Sequence, residues 1–320
     1  MRMILALALI AGLTAPAAAE PTMRVAVLKF GTVNWLMDTI TTHGLDKANG
    51  FELDVVPLAG KSATTIALQS GDADAIVTDW VWAMRQHQAG TPYKFLPYSR
   101  SLGALMVRPE AEVADLCDLK GREIGVVGGA IDKSWLVLQA LVAKKCGYDL
   151  AAETQSLFGA PPLMSRQLES DEVDAVSTFW HFAARLEASG NTRMVGITEA
   201  LADLEIAPAP PLIGFVWNPE NTDDRPGLIA NFANAVKAAS EILGSDDAEW
   251  ERLRPKMKAK SDAEFTLLRD YYRAGIVSTW TAEDTAAANA LHEALIGIGG
   301  QAYRNTSGPF IGEVFPDTSS

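Results

Sequence analysis

The chain has 320 residues, 48% hydrophobic and 21% charged, with a formal net charge of −13. That length suffices for one large core or for two domains of ordinary size. The acidic balance argues against nucleic acid or an anionic membrane surface as partner, but leaves the charge of any single cleft unspecified.

In chain order, Arg2 precedes an apolar run from Ile4 to Leu13, followed by Pro16 and Ala17-Ala18-Ala19. A basic start, a short apolar stretch and small residues before the cut describe a secretory signal peptide over residues 1–19, cleaved before Glu20. The run is shorter than the roughly 20 residues that span a bilayer. No later stretch is long and apolar enough to do so, and no cysteine sits near the cut for lipid attachment. A soluble, exported chain of net charge −14 is expected, with the periplasm as its compartment.

From Met23 the pattern alternates. A strand (23–30) leads into the turn Gly31-Thr32-Val33-Asn34-Trp35 and a helix to about Ala48. A strand (51–58) precedes Gly60-Lys61-Ser62 and a helix to Ser70, then the short strand Asp74–Thr78 and a helix stopped by Gly90. The second half restarts with a strand at 122–127, the turn Gly128–Asp132, a helix to Gly147 and a strand at 154–159. Strands alternating with helices indicate βαβ units and largely parallel sheets. The predicted fold class is α/β with two lobes, lobe one being 20–105 plus 215–320 and lobe two 106–214. Two apolar runs bordered by proline, 102–110 and 210–219, are expected to carry the chain across as a two-strand hinge. The remainder reads as helices, with Ser261-x-x-Glu264 and Thr281-x-x-Asp284 resembling capping boxes, packed back on lobe one. The tail after Gly299 is expected to be irregular.

Residues 68–90 and 168–190 are two copies of one segment, identical at nine of 23 positions: Leu68/Leu168, Ser70/Ser170, Asp74/Asp174, Ala75/Ala175, Thr78/Thr178, Trp80/Trp180, Ala83/Ala183, Arg85/Arg185 and Gly90/Gly190. An offset of 100 is far beyond the roughly 20–50 residues of solenoid repeats, and suits two similar lobes. Ligands of open α/β sheets sit beyond the carboxyl ends of the strands, so the two Thr-x-Trp turns would flank one cleft. Helix N-termini at such turns offer unpaired N–H groups to polar oxygens. Trp35, Trp80 and Trp180 would add flat apolar walls. The competing assignment makes the hydroxyl residues helix caps and the tryptophans core.

Charged candidates point both ways: Lys61 and Lys133 suit an anion, Asp79 and Asp132 an amine or a metal. The four histidines are scattered without a zinc pattern, and there is no dinucleotide, P-loop or nucleophile-elbow motif. His181, following Trp180, is the one histidine at the expected cleft. Cys117 and Cys146 are the only cysteines. Export makes a disulfide plausible, and the two ends of a β–α unit can approach. Two buried free thiols are the alternative.

The export signal, the Gly-Thr turn after the first strand, LQSGDADAIVTDW, the restart DLKGREIGVV and LESDEVDAVSTFW together resemble the NitT/TauT group. These are substrate-binding proteins of ABC importers, related to nitrate-, sulfonate/taurine- and pyrimidine-precursor-binding proteins. The resemblance spans about 22–245. It implies a type II periplasmic-binding-protein fold that closes on a small organic solute without a cofactor or metal. A permease and its ATPase would be the partners and the receptor a monomer. It places the ligand-lining loops on Gly31, Thr32, Trp35, Ser62, Thr78, Asp79, Trp80, Asp132, Ser134, Trp180 and His181. The sulfonate branch often carries Trp-Asp-Pro where this chain has Trp180-His181-Phe182, which weakens an alkanesulfonate assignment, and no nitrate constellation is evident. Relatives of this fold also include enzymes of pyrimidine or menaquinone-precursor synthesis, for which His181 would be the acid/base. A metal receptor would use Asp79, Asp132 and His181.

Overall fold

The computed structural model describes residues 20–277, 279–298 and 312–315. The signal peptide assigned to 1–19, and the tail beyond Gly299 apart from 312–315, lie outside the described residues. Along the first part run β1 (Thr22–Leu28), α1 (Val33–Thr42), α2 (Leu45–Ala48), β2 (Glu52–Leu58), α3 (Lys61–Ser70), β3 (Ala75–Asp79), α4 (Trp80–Gln88) and β4 (Lys94–Ser99). The single helix expected up to Ala48 is divided because Gly44 takes a left-handed conformation, which ends one helix and redirects the next. After a crossing come β5 (Ala104–Val107), β6 (Glu123–Val127), α5 (Lys133–Cys146), β7 (Gln155–Gly159), α6 (Pro161–Glu169), β8 (Ala175–Thr178), α7 (Trp180–Ala188), β9 (Thr192–Gly196) and α8 (Ile197–Asp203). The chain then returns through β10 (Ile213–Trp217) to α9 (Leu228–Ser245), α10 (Asp247–Met257), α11 (Asp262–Ala274) and α12 (Ala282–Ile298).

The strands build two five-stranded sheets, ordered β2-β1-β3-β10-β4 and β7-β6-β8-β5-β9. Parallel pairing joins β1 to β2 and β3, and β6 to β7 and β8. The two expected hinge strands take a different place. β10 is inserted antiparallel between β3 and β4, and β5 antiparallel between β8 and β9. The sheets are therefore mixed, which corrects the largely parallel expectation. Apolar residues on both faces identify these runs as buried strands but carry no information on direction.

The repeat now has a structural explanation. Asp74 accepts the backbone N–H of Arg24 at 2.7 Å, and Asp174 that of Glu123 at 2.9 Å, so each aspartate ties its strand to the parallel neighbour. Asp74 is fully buried and is also paired with the guanidinium groups of Arg24 and Arg225. The Ser70 hydroxyl donates to Asp72 and that of Ser170 to Glu172 in the turns between helix and strand. Gly90 and Gly190 follow α4 and α7 at φ 98° and 97°, a region that other residues enter only with strain. Leu68, Leu168, Ala75, Ala175, Ala83 and Ala183 are core residues.

The C-terminal helices divide between the two sheets' outer layers. α9 and α10 pack on α1 and α2, whereas α11 lies against α7 and α12 against α5. The expectation that all of them cover lobe one is corrected for α11 and α12, because an amphipathic pattern reveals a buried face but not what covers it. Leu291 and Leu295 of α12 join a buried cluster holding Trp80 and Phe95 of the first lobe and Trp135 and Leu138 of the second. Across α7 and α11, Arg185 pairs with Glu264, and the Tyr271 hydroxyl donates to Glu187 at 2.6 Å. Both crossings are gripped at once by Arg100. Its guanidinium donates to the Ala209 carbonyl at 2.8 Å and pairs with Asp284 of α12 at 2.5 Å. No helix among the described residues is long and apolar enough to cross a membrane.

Cys117 and Cys146 form a disulfide, Cα–Cα 5.3 Å, joining the turn before β6 to the last residue of α5. Closing 29 residues of chain removes unfolded-state entropy amounting to about 3–4 kcal/mol. Denaturant titration of Cys117→Ala/Cys146→Ala is expected to show a loss of that order, as is titration in the presence of a thiol reductant. At Gly103 the first crossing lies so close to β8 that a Cβ would collide with the Thr178 carbonyl. Gly103→Ala should therefore lower the thermal midpoint markedly, whereas Gly60→Ala, with open space around it, should not.

Candidate functional site

An interlobe cavity of about 170 Å³ lies beyond the carboxyl ends of the parallel strands. Five helices begin beside it: α1, α3 and α4 from the first sheet, α5 and α7 from the second. Two of these ends are already capped by carboxylates. Asp79 accepts the N–H of Trp82 at 2.9 Å at the start of α4, and Asp132 accepts that of Ser134 at 2.9 Å at the start of α5. The caps of α1, α3 and α7 are Thr32, Gly60 and Phe179, none with a side-chain cap bond. These ends retain the partial positive charge that favours an oxygen-bearing guest.

Of the residues expected at the cleft, Gly31, Thr32, Thr78, Asp79, Asp132, Ser134, Trp180 and His181 line the cavity, as do Lys61 and Lys133. Trp35, Ser62 and Trp80 do not. Trp80 is 0% exposed, with its ring 6.0 Å from Phe315 in the core. Trp180 is 9% exposed and meets Trp35 edge-on at 6.1 Å and Tyr272 at 6.2 Å. Matched tryptophan walls are thus replaced by one tryptophan wall, backed by Trp35. The reason lies in what covers each helix: α4 faces the Gly312–Val314 turn with Phe315, and α7 faces α11 with Tyr272. Ser62 is exposed on α3, outside the lining.

Sequence reading missed the floor. Tyr98, Ser99, Ser101, Leu102 and Gly103 from the first crossing and Leu212 and Ile213 from the second all line the cavity, as does Phe179. The signal is partial: the crossings expected at 102–110 and 210–219 contain Leu102, Gly103, Leu212 and Ile213, whereas Tyr98 and Ser99 end β4 and Ser101 follows it. The Tyr98 hydroxyl donates to that of Tyr272 at 3.1 Å, and burial pushes its acidity far below that of an ordinary tyrosine.

The charges pair across the lobes. Lys133 Nζ donates to Asp79 Oδ2 at 2.9 Å, joining the start of α5 to the start of α4. Burial works to raise the Asp79 carboxyl, but Lys133 and Lys61 outweigh it and hold the group below the usual carboxylate range. At Asp132 burial prevails over the same two lysines, and its carboxyl is raised. Lys61 Nζ, from the first lobe, lies 5.9 Å from the centre of the Phe179 ring of the second. Burial, aided by the Arg185 charge, lowers His181 to about 3, so its imidazole is neutral at pH 7. His181 Nδ1 is buried without a hydrogen-bond partner among the described residues. It sits among aromatic rings, 5.5 Å from Trp180 and 4.7 Å from Phe182. Among the described residues, no three or more His, Cys, Asp or Glu side chains are grouped to hold a metal ion.

Solved structures share this architecture. The periplasmic aliphatic sulphonate binding protein SsuA from Escherichia coli matches with a TM-score of 0.68 at 13% identity, covering 87% of this chain and 86% of that one. The alkanesulfonate-binding protein SsuA from Xanthomonas axonopodis pv. citri, bound to MOPS, gives 0.71 at 15% identity over 94% and 99%. The desulfurization enzyme DSZB gives 0.60 at 18% identity over 92% and 97%. These likenesses are of fold: the two-lobe, type II periplasmic-binding-protein architecture. A search of curated protein sequences returns no significant match. The family model described as NMT1/THI5 like matches residues 41–248, well over half of the chain and strands of both sheets, and the protein belongs to the NMT1/THI5-like family.

Proposed function

We propose that this protein is the periplasmic solute-binding component of an ABC importer. It captures a small organic solute between its lobes and delivers it to a membrane permease served by an ATPase. The observation that carries the reading is the cavity itself. It is lined by both lobes, floored by both crossings and ringed by helix N-termini, the arrangement expected of a two-lobe receptor that shuts on its guest. Residues 1–19 are proposed as the export signal and the mature chain as a monomer. The lobes are proposed to divide near residues 105 and 214, with α11 and α12 packed against the second lobe.

An enzyme on the same scaffold is the second reading, favoured by the fold shared with a desulfurization enzyme. The residues around the cavity support the receptor. Both cysteines of the chain are consumed by the disulfide, which leaves no thiol as nucleophile. His181, lowered to about 3, lies far from the pKa near operating pH that suits a general acid or base.

Mass spectrometry of small molecules released on denaturing the natively expressed protein identifies the guest. Thermal-shift screening of solute classes then measures its grip. At a concentration one hundred times Kd, a true ligand stabilises the fold by about 2.7 kcal/mol. A broad screen with no shift, and no released molecule, defeats the proposal. Tryptophan fluorescence should change on binding, and Trp180→Phe should remove most of that change while Trp217→Phe, outside the cavity, leaves it.

His181 also sets a pH dependence. A histidine held neutral in the fold binds its proton more readily when unfolded, so stability falls as pH drops from about 6.5 towards 3. His181→Asn should flatten that part of the acid limb in urea titrations at successive pH values. An unchanged slope counts against a buried neutral imidazole.

A further inference from the structure

We infer that the cleft acts as a charge filter: two lysines and two aspartates face it in balance, with Lys133 and Asp79 bonded across the lobes, and this balance selects an uncharged solute built on a single ring. This rests on the receptor reading above and names its solute class. Each lobe contributes one cation and one anion to the cavity, Lys61 and Asp79 from the first, Lys133 and Asp132 from the second. In full ionisation the four sum to zero. Both oxygens of Asp79 are occupied, one by Lys133 at 2.9 Å and the other by the Trp82 N–H at 2.9 Å. Asp132 is engaged by the Ser134 N–H, and the Lys61 ammonium faces the Phe179 ring. No arginine lines the cavity. What remains for a guest is hydroxyl groups, a neutral imidazole and the N-termini of α1, α3 and α7, which suit a neutral polar oxygen, set in walls of Leu102, Phe179, Trp180, Leu212 and Ile213.

An unpaired charge placed in such a space loses its hydration without gaining a counter-ion. The guest is therefore uncharged. Size follows from volume. An apolar cavity of roughly 150 Å³ admits benzene, so about 170 Å³ admits one ring with a small substituent. The buried, unpartnered Nδ1 of His181 requires that this substituent carry a hydrogen-bonding group, since a guest without one would leave it unsatisfied.

Benzamide, benzoate and benzylamine present one ring with a neutral, negative or positive group of similar size. Titration calorimetry of the full mature chain at neutral pH is expected to rank benzamide at least about tenfold ahead of both charged probes, a factor worth ~1.4 kcal/mol. Asp79→Asn keeps a capping side chain but leaves the lysines in excess, and is expected to shift preference towards benzoate. Lys133→Met is expected to shift it towards benzylamine. Circular dichroism and unfolding midpoints of both variants verify that they fold. Benzoate or benzylamine binding the unaltered protein as tightly as benzamide, or a charged molecule as the natively released guest, overturns the filter and leaves the receptor standing. No binding by any of the three overturns the single-ring assignment. Absence of any bound or released solute across the broad screen overturns the receptor reading itself.

Discussion

The two passages of the chain between the sheets each end in an antiparallel strand, β5 or β10, wedged between strands of the sheet it enters. A strand in that position satisfies its backbone groups on both edges, so it is held by two ladders and is difficult to displace. Each crossing is thereby anchored where it enters its new sheet, and the cavity the two floor is placed against both sheets. Arg100 reinforces the arrangement by gripping the Ala209 carbonyl of one crossing from the other, with Asp284 neutralising its charge.

The second consequence concerns charge. Buried carboxylates are costly unless paired and hydrogen-bonded. In this protein carboxylates, buried at Asp74 and Asp79 and part-exposed at Asp132 and Asp174, recur where they complete a helix start or tie one strand to the next. Asp74 and Asp174 satisfy backbone N–H groups at the start of parallel strands, and Asp79 and Asp132 cap helices at the cleft. At the cleft the caps serve twice, because the lysines that neutralise them come from both lobes. The pairing of Lys133 with Asp79 therefore joins the two lobes at the cavity that both of them line.

Duplicated architecture did not produce duplicated roles. Trp80 and Trp180 occupy the same place in the repeat, each the first residue of a helix and two residues after a threonine. One fills the core against Phe315 and the other borders the cavity against Trp35 and Tyr272. The asymmetry originates in the C-terminal quarter of the chain, which has no counterpart in the repeat. It covers α4 with one segment and α7 with another.

Much was legible in residues alone. Strand–helix alternation, the 100-residue offset and the turns at strand ends determined an α/β protein of two similar lobes, with eight of the eleven expected site residues at one cavity. Those features depend on local chemistry: side-chain periodicity, caps and glycine at positive φ. Strand direction at the crossings, the cover over α4 and α7, and the choice of which tryptophan faces the guest depend on contacts between segments far apart in the chain, such as Val107 with Ala175, Ile213 with Asp79 and Trp180 with Tyr272. Local pattern carries no record of such partners, so only the tertiary structure decided them. The same holds for the charged groups at the cleft, because two lysines and two aspartates in sequence suggest opposite ligands until the pairing of Lys133 with Asp79 across the lobes is seen.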